Sequence, residues 1–228
     1  MKKHLVVLTG AGISAESGIK TFRDADGLWE GHDVMEVATP EGFARNPELV
    51  LNFYNQRRRQ LFEVDPNPAH IALADFENDL KVSIITQNVD DLHERAGSTN
   101  VIHLHGELLK VRSTSDINDI LEWKTDLVLG DVCKKGHQLR PHIVWFGEEV
   151  PMIENAMRIC ETADILVIIG TSMQVYPAAG LMHYVSANTP IFYIDPKPAL
   201  SSKQNLTVIA ETATLGVPKL KDLLKKII

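Results

Sequence analysis

The stretch Leu5-Val6-Val7-Leu8-Thr9-Gly10-Ala11-Gly12 decides the fold of this chain. A continuous apolar run that stops at a glycine-rich turn is typical of a parallel strand buried on both faces. The same pattern returns at Val82–Thr86, Ile165–Gly170 and Ile191–Asp195. Four such runs predict an α/β fold with a Rossmann-like, doubly wound parallel sheet, whose ligand crevice lies at the carboxyl ends of the strands.

Length and composition narrow the class of protein. The chain has 228 residues, 44% of them hydrophobic, which is enough for one large domain or one domain with an inserted module. The net charge of -7 gives little electrostatic support for nucleic-acid binding. The first apolar run is too short for a signal peptide or a membrane span, so we expect no membrane association. Two cysteines, Cys133 and Cys160, cannot form a disulfide framework, which favours the cytoplasm.

Two segments interrupt the sheet pattern. Pro40–Phe62 and Pro68–Leu80 carry apolar residues at helical spacing and predict an inserted helical module, and the polar stretch Ser113–Gln138 predicts a smaller second insertion. No linker separates independent domains. We therefore predict one domain over residues 1–228, with a core of approximately 1–37, 80–112 and 139–228 and an inserted module of approximately 38–79 and 113–138.

The glycine-rich turn suggests a nucleotide. Gly10-Ala11-Gly12-Ile13-Ser14-Ala15 fits the G-x-G-x-x-G/A fingerprint, in which glycines allow a tight turn and let backbone N–H groups approach a pyrophosphate at a helix N-terminus. A turn that uses glycine only for backbone reasons is the alternative. A dehydrogenase would continue with an acidic residue closing a second strand about 20 residues later. Gly18–Glu30 instead has the composition of a loop, which disfavours a dehydrogenase.

Polar residues follow the later strands. Gln87, Asn88 and Asp90 come after a buried strand and can hydrogen-bond a carboxamide and ribose hydroxyls, although such a cluster can also cap a turn. His105 lies at a predicted strand end before Gly106, and a near-neutral pKa suits histidine to take a proton from a hydroxyl. A purely structural histidine is the alternative at that place.

Six segments in this order resemble the sirtuin family of NAD-dependent protein-lysine deacylases, from the N-terminus nearly to the end of the chain. They are Gly10-Ala11-Gly12-Ile13-Ser14, Asp24-Ala25-Asp26-Gly27-Leu28-Trp29, Thr86-Gln87-Asn88-Val89-Asp90, His103-Leu104-His105-Gly106-Glu107, Val144-Trp145-Phe146-Gly147-Glu148 and Gly170-Thr171-Ser172. The resemblance implies that NAD is consumed as co-substrate, that acylated-lysine proteins or peptides are the partners, and that nicotinamide, O-acyl-ADP-ribose and free lysine are the products. An ADP-ribosyltransferase, an NAD hydrolase or a non-catalytic NAD-sensing module are alternatives that use the same pocket.

The resemblance also implies roles for residues. His105 would be the general base that activates a ribose hydroxyl after the acyl oxygen has displaced nicotinamide, and Asn88 and Asp90 would bind the nicotinamide carboxamide. Asp195 stands where the family commonly has Asn. The implied cofactor-binding residues are Gly10, Ala11, Gly12, Ile13, Ser14, Ala15, Phe22, Arg23, Trp29, Gln87, Asn88, Val89, Asp90, Gly170, Thr171, Ser172, Asp195, Pro196, Lys197 and Ala213.

A pair of residues predicts the acyl group. Tyr54 and Arg57 lie three apart on a predicted helix, so their side chains project from one face and can present a phenol and a guanidinium to one carboxylate. In class III sirtuins a Tyr-x-x-Arg at this place selects succinyl- and malonyl-lysine, and Ala38 matches a small residue that widens the pocket. A packed tyrosine beside a solvated arginine run is the alternative. The family's extended stretch before the glycine pairs with the peptide backbone, which assigns Val144, Phe146 and Gly147 to substrate binding.

The chain departs from the family at its zinc site. Most sirtuins bind a structural zinc with two Cys-x-x-Cys pairs. Here Cys133 stands where the second pair begins, but Gly136 occupies the position of its second cysteine, and the region of the first pair, Arg112–Asp116, contains no cysteine. We therefore predict no zinc, because a tetrahedral site needs four N or S ligands. Apolar contacts are then expected to hold residues 113–138, from Ile117, Ile120, Leu121, Trp123, Leu127 and Val128. The sequence leaves the oligomeric state open.

Overall fold

The computed structural model describes residues 2–20 and 28–227 and has a six-stranded parallel sheet at its centre. In spatial order the strands are β11 (Leu206–Ile209), β10 (Ile191–Ile194), β9 (Ile165–Ile169), β1 (His4–Thr9), β4 (Lys81–Thr86) and β5 (Val101–His103), numbered by their order in the chain. The Rossmann-like α/β prediction is confirmed. The edge strand β11 is an addition that the sequence pattern did not predict.

Alternate residues of β1 explain why the run is apolar throughout. Leu5 and Val7 pack into one layer with helices α4 (Pro68–Asp75) and α7 (Ala213–Leu224). Val6 and Leu8 point into the opposite layer, which includes helix α6 (Ile153–Glu161). Because both faces are covered, β1 is buried along its whole length, and it pairs with β4 on one side and β9 on the other.

The remaining elements surround one end of this sheet. The helices are α1 (Val34–Val37), α2 (Pro40–Arg45), α3 (Pro47–Leu61) and α5 (Leu92–Arg95), and the strands are β2 (Leu28–Trp29), β3 (His32–Asp33), β6 (Gly106–Ser113), β7 (Ile120–Glu122) and β8 (Leu139–Ile143). Strands β7, β6 and β8 form a separate antiparallel sheet. Short 3-10 helices cover Ala11–Ile13, Ala15–Ser17, Phe76–Asn78 and Ala178–His183.

The helical pattern of Pro40–Phe62 is divided in two at Asn46. This residue precedes Pro47, which disfavours the helical conformation for it, and its side-chain oxygen accepts a hydrogen bond from the Leu49 N–H at 3.1 Å. It therefore ends α2 and caps α3. The second pattern, Pro68–Leu80, is α-helical only as far as Asp75 and then tightens into a 3-10 turn.

The prediction for residues 113–138 is partly wrong. Leu127 is buried, and Leu121 and Trp123 pack against it with Leu51 and Cys133. Three further predicted contacts are instead exposed, namely Ile117 (51%), Ile120 (41%) and Val128 (53%).

A polar contact replaces these three apolar ones. The Asn55 side-chain amide donates to the Leu127 carbonyl oxygen and accepts from the Leu127 N–H, both at 2.9 Å. A single side chain of α3 thus hydrogen-bonds both the N–H and the carbonyl of one residue in the segment. No helix within the described ranges is long and apolar enough to cross a membrane.

Candidate functional site

The two glycine turns contact each other at the carboxyl ends of β1 and β9. The Gly10 N–H donates to the Ile169 carbonyl at 3.0 Å, and the Gly12 N–H donates to the Gly170 carbonyl at 2.8 Å. A Cβ on Gly12 would lie 2.6 Å from the Gly170 Cα, so neither turn can carry a side chain at this crossing. The turn continues into two 3-10 helices, Ala11–Ile13 and Ala15–Ser17, whereas the fingerprint predicts an α-helix N-terminus.

Three predicted polar residues form one buried hydrogen-bonded group. The Ser14 hydroxyl donates to Asp90 Oδ2 at 3.0 Å and accepts from Asn88 Nδ2 at 3.0 Å. All three side chains are buried. Burial raises the pKa of Asp90, while hydrogen bonds from the Leu92 N–H and from Ser14 act in the opposite direction. The group offers a mixed set of donors and acceptors of low net charge, which suits a neutral amide ligand.

Two histidines, to which the sequence analysis gave no function, pack next to this group. His70 Nδ1 accepts from the Asn67 N–H, which leaves its Nε2 as the N–H that faces Ser14 Oγ at 3.5 Å. The His93 ring lies 4.9 Å from that of His70 and bonds Thr9 Oγ1 through Nε2. Burial lowers the pKa of His70 to about 4 and that of His93 well below its usual value. Both are therefore neutral supports, and the only signal for them in the sequence is the Asn67-x-x-His70 capping spacing.

His105 is oriented as a base. Its Nδ1 lies 3.0 Å from the Gln87 carbonyl oxygen, which can only accept, so Nδ1 carries the proton and Nε2 keeps its lone pair. Burial lowers the pKa of His105, partly offset by this hydrogen bond. The ring is therefore neutral at neutral pH and able to take a proton at Nε2.

The neighbouring His103 differs in charge. Its two ring nitrogens lie 2.9 Å from the Asn88 carbonyl and 2.8 Å from Glu94 Oε1, and both of these groups are acceptors. Burial opposes the charged form, but the Glu94 hydrogen bond and charge outweigh it and the pKa of His103 is raised. His103 is thus an ion-paired structural residue.

The residues assigned to the adenosine half lie beyond Gly170. Gln87 Nε2 donates to Thr171 Oγ1 at 3.1 Å, which links the strand end of β4 to that of β9. Asp195 is buried, and its Oδ1 accepts from the Lys197 N–H at 2.8 Å. Pro196 is exposed next to it, Ser172 is half-buried, and Ala213 is the first residue of α7. All of them follow strand ends on the same side of the sheet as the glycine turns.

One further cofactor assignment, Trp29, lies apart from this cluster. Phe22 and Arg23 lie outside the described residues. Trp29 packs with its ring edge-on to Phe53 at 4.9 Å and to Tyr54 at 6.1 Å, so it lies against α3. It thereby contacts the predicted acyl-binding residues.

Tyr54 and Arg57 are both withdrawn from solvent. Tyr54 is fully buried, and its hydroxyl oxygen accepts a hydrogen bond from Trp145 Nε1 at 3.0 Å. The Arg57 side chain is 13% exposed, stacks over the Phe53 ring and donates to the Phe53 carbonyl. Burial lowers the pKa of Arg57, whereas Glu30 and Tyr54 act in the opposite direction. Arg57 is thus not part of a solvated arginine run, which was the alternative interpretation.

The charge of Arg57 is only weakly compensated. Its Nη2 lies 4.0 Å from Glu30 Oε2, and within the described ranges its Nε has no hydrogen-bond partner. Ala38 belongs to the same buried cluster as Tyr54 and Trp145, and its carbonyl accepts from the Phe146 N–H at 2.9 Å. These residues form a largely apolar buried cluster with Arg57 at its side.

The segment after β8 makes a turn at Phe146 and Gly147, so the stretch predicted as extended is not extended through to Glu148. The Glu148 N–H donates to the Trp145 carbonyl at 3.0 Å, and Gly147 has φ of +88°, a conformation that favours glycine. The Val144 N–H donates to the His105 carbonyl at 2.9 Å. The turn therefore connects the candidate base to the buried cluster around Tyr54.

The residues at the expected zinc position do not fit a zinc ion. Cys133 is buried among Leu51, Val111, Leu127 and Leu139, and burial in an apolar cluster does not supply the three further ligands that zinc needs. Over residues 2–20 and 28–227, no group of three or more His, Cys, Asp or Glu residues is arranged to bind a metal ion.

Comparisons with known proteins agree with this geometry. A family model described as Sir2 family matches residues 10–177. The chain is 60% identical to an NAD-dependent protein deacylase of Helicobacter pylori, over 99% of this chain and 98% of that protein. It is 56% identical to one of Bacteroides thetaiotaomicron, over 97% and 98%.

Solved structures give the same result. A Sir2 homolog–NAD complex is 44% identical with a TM-score of 0.87, covering 99% of this chain and 91% of that one. A Sir2 structure with a deacetylated peptide and 3′-O-acetyl ADP ribose is 27% identical with a TM-score of 0.82, over 97% and 94%. The chain therefore belongs to the Sir2 family, which confirms the resemblance that its motifs predicted.

Proposed function

We propose that this chain is an NAD-dependent protein-lysine deacylase that removes succinyl and malonyl groups as well as acetyl groups. The reaction converts acyl-lysine, NAD and one water into free lysine, nicotinamide and O-acyl-ADP-ribose. The observation that carries the acyl preference is Arg57 beside Tyr54, with its side chain only 13% exposed and weakly compensated among the described residues. Both cysteines are buried and unpaired, which supports a reducing compartment such as the cytoplasm.

The donor set around Ser14 supports NAD as the co-substrate. The polar group of Ser14, Asn88 and Asp90 would bind the carboxamide, and the side-chain-free crossing of Gly12 and Gly170 lets the backbone approach a dinucleotide. When bound, NAD supplies a ribose carbon whose bond to nicotinamide can break and a hydroxyl that can accept the acyl group. The solved Sir2 homolog–NAD complex and the deacylase relatives support the same assignment.

His105 would act as the general base. Its neutral imidazole presents Nε2, fixed by the bond from Nδ1 to the Gln87 carbonyl, to take a proton from an attacking hydroxyl. Because the ring is part-buried and its pKa is lowered, it stays unprotonated and available across the neutral pH range. The link from Val144 to the His105 carbonyl places this base next to the turn assigned to the peptide.

Arg57 and Tyr54 would select the acyl group by charge. A guanidinium removed from water and left with a distant counter-ion gains more from a carboxylate than an exposed arginine would. A terminal carboxylate, as in succinyl and malonyl groups, supplies this counter-ion, whereas an acetyl group does not. Acetyl-lysine would still react, since its chemistry depends on His105 and the NAD-binding residues and not on Arg57.

A mass-spectrometric time course of one lysine peptide in succinylated and acetylated forms, with and without NAD, tests this proposal. We expect free lysine, nicotinamide and acyl-ADP-ribose from both peptides only with NAD. Arg57→Met should lower kcat/KM for the succinyl peptide by about 30-fold or more, as expected for loss of a charge-assisted contact, and affect the acetyl peptide little.

The matched control is Arg59→Met, which removes an exposed arginine of the same helix that pairs with Asp126 on the surface. It should leave both activities unchanged. Nicotinamide release without deacylation would instead identify an NAD hydrolase or an ADP-ribosyltransferase. Equal losses for both peptides in Arg57→Met would refute the acyl preference.

A further inference from the structure

We propose that Trp145 is a positioning residue that sets acyl selectivity, because its indole N–H fixes the Tyr54 phenol as a hydrogen-bond donor toward the acyl carboxylate. This inference rests on the proposed function. In this proposal the turn after β8 has a second role, the selection of the acyl group, in addition to binding the peptide backbone.

The direction of the hydrogen bond follows from the two side chains. An indole N–H can only donate, so the phenol oxygen of Tyr54 must accept at the observed 3.0 Å. The phenol's own proton is then directed away from Trp145. Within the described ranges, Tyr54 has no second hydrogen-bond partner to receive that proton.

Tyr54 is suited to remain a donor. The side chain is fully buried, and burial raises the pKa of its hydroxyl, outweighing the hydrogen bond from Trp145 and the nearby arginines. A phenolate is therefore absent at neutral pH. Tyr54 and Arg57 lie three residues apart on α3, so their side chains leave one face of the helix and can address one carboxylate.

Trp145 is itself fixed by a charged clamp of Arg112, Arg140 and Glu148. The Arg140 guanidinium stacks over the indole at 3.4 Å from the ring centroid, and the backbone N–H of Trp145 donates to Glu148 Oε2 at 2.8 Å. Glu148 accepts from Arg140 at 2.6 and 3.0 Å and from Arg112 at 3.1 Å. Arg112 belongs to β6 and Arg140 to β8, so the antiparallel sheet orients the indole.

The clamp has a predictable consequence for specificity. A phenol without the indole partner can rotate its proton toward other acceptors, and its oxygen loses its donor in a buried site. Recognition of a carboxylate depends on that proton, whereas an acetyl group offers no carboxylate for it. Loss of the indole N–H should therefore affect the succinyl reaction selectively.

The test is the ratio of kcat/KM for the succinyl peptide to kcat/KM for the acetyl peptide in Trp145→Phe. This change keeps an aromatic ring under Arg140 and removes the N–H. We expect the ratio to fall by about threefold to tenfold, the usual effect of one neutral hydrogen bond, with most of the loss in KM for the succinyl peptide. In a Tyr54→Phe background, which lacks the phenol, Trp145→Phe should not change the ratio further.

The outcomes separate this inference from the proposed function. If Arg57→Met and Tyr54→Phe lower the ratio but Trp145→Phe does not, the role of Trp145 is refuted and the acyl preference stands. If none of the three changes the ratio, the acyl preference itself fails. Equal losses for both peptides in Trp145→Phe would show that Trp145 only supports the fold.

Should Trp145→Phe fail to fold, benzothienylalanine incorporated at position 145 replaces the indole N–H by sulfur and keeps the bicyclic shape. The same fall in the ratio is expected. An unchanged ratio in that protein would overturn the inference.

Discussion

The two sides of the candidate site differ in how the charges of their side chains are compensated. On the side of β1 and β4, Ser14 hydrogen-bonds Asp90 and Asn88, and the neutral rings of His70 and His93 pack next to it. On the side of α3, the Arg57 side chain is 13% exposed and its nearest described carboxylate lies 4.0 Å away. The first arrangement suits a neutral carboxamide and the second an anionic acyl group. Two tasks are therefore assigned to different parts of the fold. The side of β1 and β4 carries out the chemistry common to all acyl groups, and the side of α3 selects among the acyl groups.

The largest expected effect is on the common chemistry. His105→Ala should reduce deacylation of succinyl and acetyl peptides alike by about 10²–10⁴-fold, the usual contribution of a general base. NAD binding, measured by calorimetry, should persist, because the Ser14 group is unchanged. A variant that lost activity toward only one acyl group would contradict the division between the two sides.

The next effect is on stability and involves the clamp on the acyl side. Glu148→Ala would leave Arg112 and Arg140, both largely buried, without their shared carboxylate. Breaking such a pair costs about 3 kcal/mol, as the remaining charges have no compensation. Urea denaturation should show this loss, whereas Glu154→Ala, which removes an exposed carboxylate of α6, should change stability by less than about 0.5 kcal/mol. Similar values for both variants would show that the clamp is not a structural unit.

The next expected effect is smaller per pH unit and concerns the pH dependence of stability, through the neutral His70. The pKa of His70 is about 4 in the folded protein against 6.5 in the unfolded chain. Below pH 6.5 the unfolded chain binds the proton and the folded protein does not, so the free energy of unfolding falls by up to about 1.4 kcal/mol per pH unit toward pH 4. His70→Asn should show a shallower decline over that range.

His103 supplies a control of opposite sign. Its pKa is raised, so its contribution to stability is complete below pH 6.5 and disappears as pH rises through its folded value. His103→Asn should therefore alter the slope on the alkaline side of pH 6.5, where His70→Asn has no effect. Identical pH profiles for the two variants would contradict the assigned charge states.

The smallest effect is a shift in the pH dependence of the reaction. Because burial lowers the pKa of His105, the acid limb of kcat/KM should have its midpoint below pH 6.5. A pH–rate profile of the wild type measures this. A midpoint above 6.5 would mean that another group controls the rate.

The sequence predicted the sheet and the polar side of the site because both depend on local patterns. An apolar run such as Leu5–Leu8 is typical of a buried parallel strand and of few other elements. The motifs follow the ends of such strands directly. Ser14, Asn88 and Asp90 could be predicted to converge for that reason. Their second support, His93, could not, since its contact with His70 depends on the packing of α4 against α5.

The acyl side was less predictable because its contacts join distant residues. Trp145 and Tyr54 are 91 positions apart, and no spacing rule indicates that one donates to the other. The apolar residues Ile117, Ile120 and Val128 were expected to replace a zinc site, but the Asn55 amide binds the backbone at Leu127 instead. Hydropathy reports which residues avoid water, and it does not report which polar side chain satisfies a loop backbone.

The most direct test of the central claim compares two lysine peptides of equal size, one succinylated and one carrying succinamide, in which a neutral carboxamide replaces the carboxylate. If Arg57 selects charge, kcat/KM of the wild type should be about tenfold or more higher for the succinyl peptide, and Arg57→Met should remove the difference. Equal kcat/KM values for the two peptides in the wild type would contradict the account, because size alone would then determine the choice of acyl group.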